Sequence, residues 1–371
     1  MTIEPFAIER YFAKHEFSAR YLLSASDCEG LPMRELIEKS PSPARDMWNQ
    51  LKLNYTESQG HPILRGLIAA MYPGLQASNI LVGAPEELIY ITMRTLLKPG
   101  DHVVVLAPCY QSLASVAKAI GCTVELWYLH EQFGAWEMDL EELARKLNSK
   151  TRLVVVNFPN NPTGFLPNKT QFQQLIQMVS TNGATLFCDE MYRFLEPTDT
   201  ERLPSASTES NNAISLCGMS KSFSLPGLRL GWLACQDESL ISRLLVYKDY
   251  TTICNSAPSE VLAIMALYAS ERILSRNVNM IQVNTDLSRK TFEKFPNLVR
   301  WIAPSAGSVA FPAWTGNQNL ALLVEKWVNE RGLMVVPGEY FLVANDHFRV
   351  GLGRENYPES LGVLADILGK M

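Results

Sequence analysis

The chain has 371 residues, 47% of them hydrophobic, and a formal net charge of -5. This length holds one large and one smaller domain, and with no Lys/Arg run interleaved with aromatics, nucleic acid is not expected as a partner. Seven cysteines lie singly along the chain without a C-x-x-C pair, and no apolar run reaches about 18 residues, so a reduced, cytoplasmic protein without structural zinc, export signal or membrane span is expected. In chain order, residues 5 to 18 mix Phe6, Tyr11, Phe12 and Phe17 with Glu9, Arg10, Lys14 and Glu16, which predicts a short amphipathic arm helix. Leu22 to Gly30 reads as a loop. From about residue 62, helical segments alternate with β-branched runs such as Asn79-Ile80-Leu81-Val82, His102-Val103-Val104-Val105-Leu106, Leu153-Val154-Val155-Val156 and Thr185-Leu186-Phe187-Cys188. Such alternation predicts an α/β fold, a mostly parallel sheet wrapped by helices, with active-site residues just past the strand ends. After about residue 275 a long helix, a Pro/Gly-punctuated stretch from Pro304 to Pro312 and a helix near Glu359 to Gly369 predict a smaller α+β domain. The expected division is 1–40 for an arm and small-domain segment, 41–270 for the large domain and 271–371 for the small one.

Chemistry concentrates in Gly218-Met219-Ser220-Lys221-Ser222 and the following Pro226-Gly227-Leu228-Arg229. A lysine among small residues, with an arginine eight further on, suits a nucleophilic amine beside a phosphate: a nearby cation and partial burial keep the amine deprotonated, and a guanidinium offers phosphate a planar pair of donors. Alone, the segment is also compatible with a surface lysine in a glycine-rich turn. Cys188-Asp189-Glu190-Met191-Tyr192 ends a strand with an acid that suits a pyridine nitrogen, with Tyr192 three residues on for a hydrogen bond to a ring hydroxyl. Asn161, in Asn157-Phe158-Pro159-Asn160-Asn161-Pro162, could reach the same hydroxyl; each Asn or Asp alone is equally a turn former. Gly83-Ala84-Pro85-Glu86, between a strand and a helix, forms an anion cup, although Pro85 lacks an N–H. Tyr110 ends another strand and either stacks on the ring or belongs to the core.

Together these segments resemble the fold type I, class I/II aminotransferase superfamily from about Tyr55 to Arg349. The resemblance implies pyridoxal 5′-phosphate held by Lys221 as a Schiff base. It also implies Tyr55 reaching the phosphate of a neighbouring subunit in a homodimer, and Arg349 clamping the α-carboxylate of a small amino-acid substrate. Gly218 departs from the usual serine three residues before the lysine, which shifts phosphate binding onto Ser220, Ser222 and backbone N–H groups. After the arm, where common aminotransferases are glycine-rich and uncharged, this chain reads Ser24-Ala25-Ser26-Asp27-Cys28-Glu29. Ser26, Asp27 and Glu29, with Glu9 and Glu16 from the arm, suit a guanidinium side chain; equally, Asp27 is a turn residue and the arm glutamates a solvated face. The arm, this stretch and Tyr250 to Pro258 resemble a narrower branch, the capreomycidine synthase-like cyclases. That resemblance implies, in a hydroxylated arginine, Cα deprotonation and loss of a β-hydroxyl, or of a γ-hydroxyl after further Cβ deprotonation, then intramolecular attack by the guanidine. An ordinary aminotransferase is the alternative, with a carbon–sulfur lyase beside it. A cofactor-binding regulator is not expected, since no basic DNA-binding extension is evident, and acyl-transferring relatives are not expected for want of their substrate motifs.

Overall fold

A computed structural model describes residues 2–344 and 346–371. Its centre is an eight-stranded sheet formed by β1 (Ile80–Gly83), β2 (His102–Ala107), β3 (Thr123–Gln132), β4 (Ala135–Met138), β5 (Thr151–Asn157), β6 (Thr185–Asp189), β7 (Ala213–Gly218) and β8 (Gly231–Cys235). In space the order is β1-β8-β7-β6-β5-β2-β3-β4. The five strands β7, β6, β5, β2 and β3 run parallel, while β8 and β1 close one edge and β4 the other in antiparallel pairings. The β-branched runs form strands because both faces are covered. Val103 and Val105 join the core cluster that includes helix Pro85–Leu96, whereas Val104 and Leu106 join the opposite cluster with helix Lys169–Asn182. Period-two alternation thus appears as two apolar faces rather than as apolar against polar.

The arm helix is Ala7–His15 and the loop after it contributes Tyr21–Leu22 as a short parallel partner of Leu333–Met334. Helix Ser270–Phe292 leads into the smaller layer, where Val309–Ala310, Phe348–Gly351 and Val336–Pro337 form a three-stranded sheet, and helix Tyr357–Leu368 packs on helix Ser270–Phe292 and on the pair Tyr21–Leu22 and Leu333–Met334. Helix Met33–Glu38 buries Leu36 in the same apolar cluster as residues of helix Ala257–Tyr268. The hairpin β3–β4, which extends the sheet beyond the β-branched runs, has no strand signal of its own in β4, where Ala135-Trp136-Glu137-Met138 is held by pairing with β3. Among the described residues no helix is long and apolar enough to cross a membrane, and no group of three or more His, Cys, Asp or Glu side chains could hold a metal ion.

Candidate active site

A cavity of about 410 Å³ lies at the C-terminal ends of the parallel strands, roofed by the arm helix. The loops that follow β1, β2, β5, β6 and β7 leave the sheet at this edge, and these five bring their functional side chains together. Asp189 is the last residue of β6, and its Oδ1 accepts a hydrogen bond from the Met191 N–H at 3.0 Å. Burial pushes its carboxyl up to about 7, against the opposing effects of that hydrogen bond and of Lys221. The Asn157 amide, at the end of β5, donates to the Asp189 carbonyl at 2.8 Å and accepts from the Asn161 N–H at 2.6 Å, which ties the two loops together. Tyr192 is buried, and its hydroxyl, beside Ser26, makes no well-formed hydrogen bond; burial holds its pKa above the usual tyrosine range.

Lys221 follows β7 by three residues, lies half-buried on the cavity floor and donates from Nζ to Ser26 Oγ at 2.9 Å. Burial lowers its pKa, with Asp27 opposing and Arg349 and Arg229 assisting. Arg349, 1% exposed, donates from Nη1 to Asn161 Oδ1 at 3.0 Å and from Nη2 to the Ser24 carbonyl at 2.8 Å, while its Nε has no partner. A buried guanidinium with an open donor is prepared for a carboxylate. Tyr110 donates to Glu9 Oε1 at 2.6 Å and packs on Phe6 with ring centroids 4.9 Å apart. The phosphate end is lined by Pro85, Glu86, Ser220, Pro226 and Arg229. Arg229 has φ +50°, a left-handed conformation that costs a non-glycine residue on the order of 1 kcal/mol, and strain of that kind at a cavity wall points to function. The wall is tight: a Cβ on Gly231 would come within 2.9 Å of Pro85 Cγ and 2.7 Å of the Cys217 carbonyl.

The residues fit pyridoxal 5′-phosphate. An unpaired buried phenol, a buried acid, a lysine amine and a serine–arginine pair beside a helix N-terminus supply donors and acceptors of the types its ring hydroxyl, ring nitrogen, aldehyde and phosphate require. Gly83 and Ala84 close β1 and lead into the helix that begins at Pro85, so the expected cup is present without the Pro85 N–H.

Three expectations change. Asp27 does not line the cavity: both of its carboxylate oxygens accept from Arg354 Nη2 at 2.8 Å. Glu29 lies 3.6 Å from Arg354 Nη1 and accepts from the Glu355 N–H, also outside the cavity. The acidic loop therefore satisfies a guanidinium of the chain itself, because Arg354 follows two residues that pack directly on the loop. Ser222 is fully buried with its hydroxyl turned to the Met191 and Arg193 carbonyls, which removes it from the phosphate set. Ser26 and Glu9 do line the cavity, but Ser26 meets Lys221. Tyr55 lies outside this cavity, 88% exposed, in a surface depression with Leu53, Asn54 and Asn255.

Sequence reasoning gave no role to Glu86, which lines the cavity with a carboxyl raised by burial to about 7. Its signal was an acid placed at a phosphate cup. Arg354 was missed too, and only the R-V-G-L-G-R spacing after Arg349 hinted at it.

A family model described as aminotransferase class I and II matches residues 21–361. Capreomycidine synthase of Streptomyces vinaceus is 29% identical over 367 residues, covering 98% of this chain and 93% of the relative. The crystal structure of a PLP-dependent aminotransferase from Streptococcus suis superposes with a TM-score of 0.92 at 29% identity, covering 100% of this chain and 99% of that one. The PLP-dependent cyclase OrfR superposes with a TM-score of 0.90 at 26% identity, covering 100% and 98%.

Proposed function

The chain belongs to the class I and II aminotransferase family and is a pyridoxal 5′-phosphate-dependent enzyme, and within that family we propose that it is a cyclodehydratase converting a β- or γ-hydroxylated L-arginine to a cyclic guanidine amino acid. The observation that carries this reading is the polarity of the cavity: Arg349 lies in one wall, while the Glu9 side chain lines the same space. An amino acid with a cationic side chain has a matching partner at each end. The similarity to a capreomycidine synthase and to the cyclase OrfR supports the same branch.

The residue roles follow from this reading. Lys221 is the attachment point and, once displaced by the substrate amine, the base that takes the Cα proton onto Nζ. Bound in the cavity, pyridoxal 5′-phosphate supplies an electrophilic carbon for the substrate amine and a protonated ring that draws electrons from Cα. The buried Asp189 carboxyl would hold a proton on the ring nitrogen, Tyr192 and Asn161 would serve the ring hydroxyl, and Tyr110 would pack along the ring. Gly83, Ala84, Pro85, Ser220 and Arg229 form the phosphate end. Arg349 and Asn161 fix the α-carboxylate. Glu9 holds the guanidine over the carbon that loses its hydroxyl, and the arm helix keeps water out of the cavity. Such positioning replaces an encounter in solution and is worth several kcal/mol. The exposed Tyr55 and its neighbours Leu53, Tyr250 and Ile253 suit burial against a second copy, with Tyr55 reaching that copy's phosphate end in a homodimer.

An ordinary aminotransferase is the second reading, favoured by the Streptococcus suis structure and by the 24% identical probable aspartate aminotransferase of Methanocaldococcus jannaschii. Mass spectrometry of the loaded enzyme with β- or γ-hydroxyarginine, with and without 2-oxoglutarate, separates the two. The cyclase gives a product one water lighter that retains its α-amine and is indifferent to 2-oxoglutarate. Glutamate accompanied by a 2-oxo product would replace this reading with the aminotransferase.

A further inference from the structure

The loop from Ser24 to Glu29 was expected to bind substrate through its acids, yet those acids face away and its serine faces the reacting lysine. Four attachments fix the loop against the strand Phe348–Gly351 and the turn after it. The Gly351 N–H donates to the Leu23 carbonyl at 2.8 Å, Arg349 donates to the Ser24 carbonyl at 2.8 Å, Arg354 grips both oxygens of Asp27 at 2.8 Å, and the Glu29 N–H donates to the Gly353 carbonyl at 2.6 Å. Ser308 Oγ adds a fifth by donating to the Ser26 carbonyl at 2.6 Å. The approach is close enough that a Cβ on Gly351 would lie 1.5 Å from the Ala25 carbonyl oxygen. With its backbone held on both sides, Ser26 has little freedom other than rotation about χ1, and its hydroxyl lies 2.9 Å from Lys221 Nζ and on the cavity wall. Asp27 and Glu29 are therefore the anchors of the loop, and Ser26 is what the anchored loop presents.

We propose that Ser26 is a catalytic residue that relays a proton from the Lys221 ammonium to the departing substrate hydroxyl and so selects dehydration over amino transfer. This rests on the cyclodehydratase reading. With a β-hydroxylated substrate, Lys221 takes the Cα proton, and a Cα–Cβ double bond forms as the Cβ–O bond breaks with its electron pair leaving on oxygen. Lys221 gives its proton to Ser26 Oγ as the Ser26 hydroxyl proton passes to that oxygen, which departs as water. Lys221, again a neutral amine, takes the proton released when the guanidine nitrogen bonds to carbon and returns it to Cα. The balance is substrate to product plus water, with no oxidant, reductant or acceptor. A lysine without this outlet keeps the Cα proton and can return it only to the substrate or deliver it along the transamination route. Proton relays of this kind contribute about 100-fold or more to a step.

The test uses three full-length variants, Ser26→Ala, Ser26→Gly and Ser26→Thr. In the loaded enzyme with hydroxyarginine in deuterated water, Ser26→Ala and Ser26→Gly should lose water formation by about 100-fold while exchange of the Cα proton for deuterium stays within a few-fold of wild type. The fraction of 2-oxo product in the presence of 2-oxoglutarate should rise, and Ser26→Thr should restore dehydration. Independently of turnover, the acetylation of Lys221 in the cofactor-free chain is followed against pH by peptide mass spectrometry. Asp27 and Glu9 favour the Lys221 charge there, and Arg349 and Arg229 oppose it. Removing a hydrogen-bond acceptor from the ammonium moves the midpoint down by about one pH unit in Ser26→Ala and not in Ser26→Thr. Water formation that survives in Ser26→Ala, Cα exchange that falls in parallel with it, or an unmoved midpoint overturns the relay. Wild-type enzyme that yields only 2-oxo product overturns the cyclodehydratase reading and the relay's chemical step with it; the labelling midpoint then still reports whether Ser26 holds Lys221.

Discussion

The floor and the roof of the cavity are built on different terms. Asp189, Asn161 and Lys221 sit within a few residues of the ends of adjacent parallel strands and are held by bonds among those loops. Glu9, Ser26 and Arg349 come from the arm, the following loop and a small-domain strand, and the Ser24–Arg349 contact spans 325 residues of sequence. A rigid sheet edge preorganises the groups that handle the proton. The groups that choose the substrate and the outcome are set by a docking of remote segments, which evolution can alter without disturbing the sheet.

This contrast can be broken from either side, and the largest effect is expected at the floor. Lys221→Ala should remove turnover by about 10,000-fold or more together with the visible absorbance of the lysine-linked cofactor, because one group is both attachment point and base. Retention of either would place that role on another residue. Asp189→Asn should lower kcat by about 100- to 1000-fold with little change in KM. It also has a signature in the cofactor-free protein. The folded Asp189 carboxyl is raised from 3.8 to about 7, so its contribution to stability is complete below 3.8 and is lost as pH rises through about 7. Glu86, raised from 4.5 to about 7, has the same sign. Calorimetry of the cofactor-free proteins from acid to neutral pH should show the wild-type thermal midpoint falling relative to that of Asp189→Asn as pH rises toward 7. An unchanged slope would mean that Asp189 is already charged when folded.

At the roof the effects are smaller and selective. Glu9→Gln should raise KM for hydroxyarginine about tenfold through loss of a charge-assisted hydrogen bond and leave KM for a neutral amino acid unchanged, as steady-state kinetics on the two substrates would report. Equal changes for both would make Glu9 a support for Tyr110 rather than a substrate contact. Asp27→Asn should be the mildest, lowering stability by less than about 1 kcal/mol because the Asp27–Arg354 pair is partly open to solvent. Its KM for hydroxyarginine should stay near wild type in the same kinetic assay; a selective rise would return Asp27 to the substrate.

The floor was legible because its residues lie beside the strands that position them. Asp189 directly follows one of the strand runs read in the sequence, and Lys221 sits among small residues eight positions before an arginine, so local pattern alone marks both. Arg229 and the Gly83–Ala84–Pro85 cup were legible for the same reason. The acids of the 24–29 loop allowed two readings, a substrate contact or, for Asp27, a turn residue, because nothing near them in sequence names the cation they meet. Their partner, Arg354, lies 327 residues away from Asp27. Glu86 was in view but without a role, since its meaning depends on the arm helix that covers it.

The alternation of strands and helices and the order of the motifs therefore determined the fold class and, through the family resemblance they carry, the cofactor, because those properties are encoded within tens of residues. Tertiary structure alone decided which carboxylates face the cavity and which face Arg354, that Ser222 turns inward, and that Ser26 meets Lys221. A side chain's chemistry is fixed by its residue type, but its partner is fixed by packing between segments, and in this roof the partners Glu9–Tyr110, Ser26–Lys221 and Asp27–Arg354 lie 101, 195 and 327 residues apart in sequence.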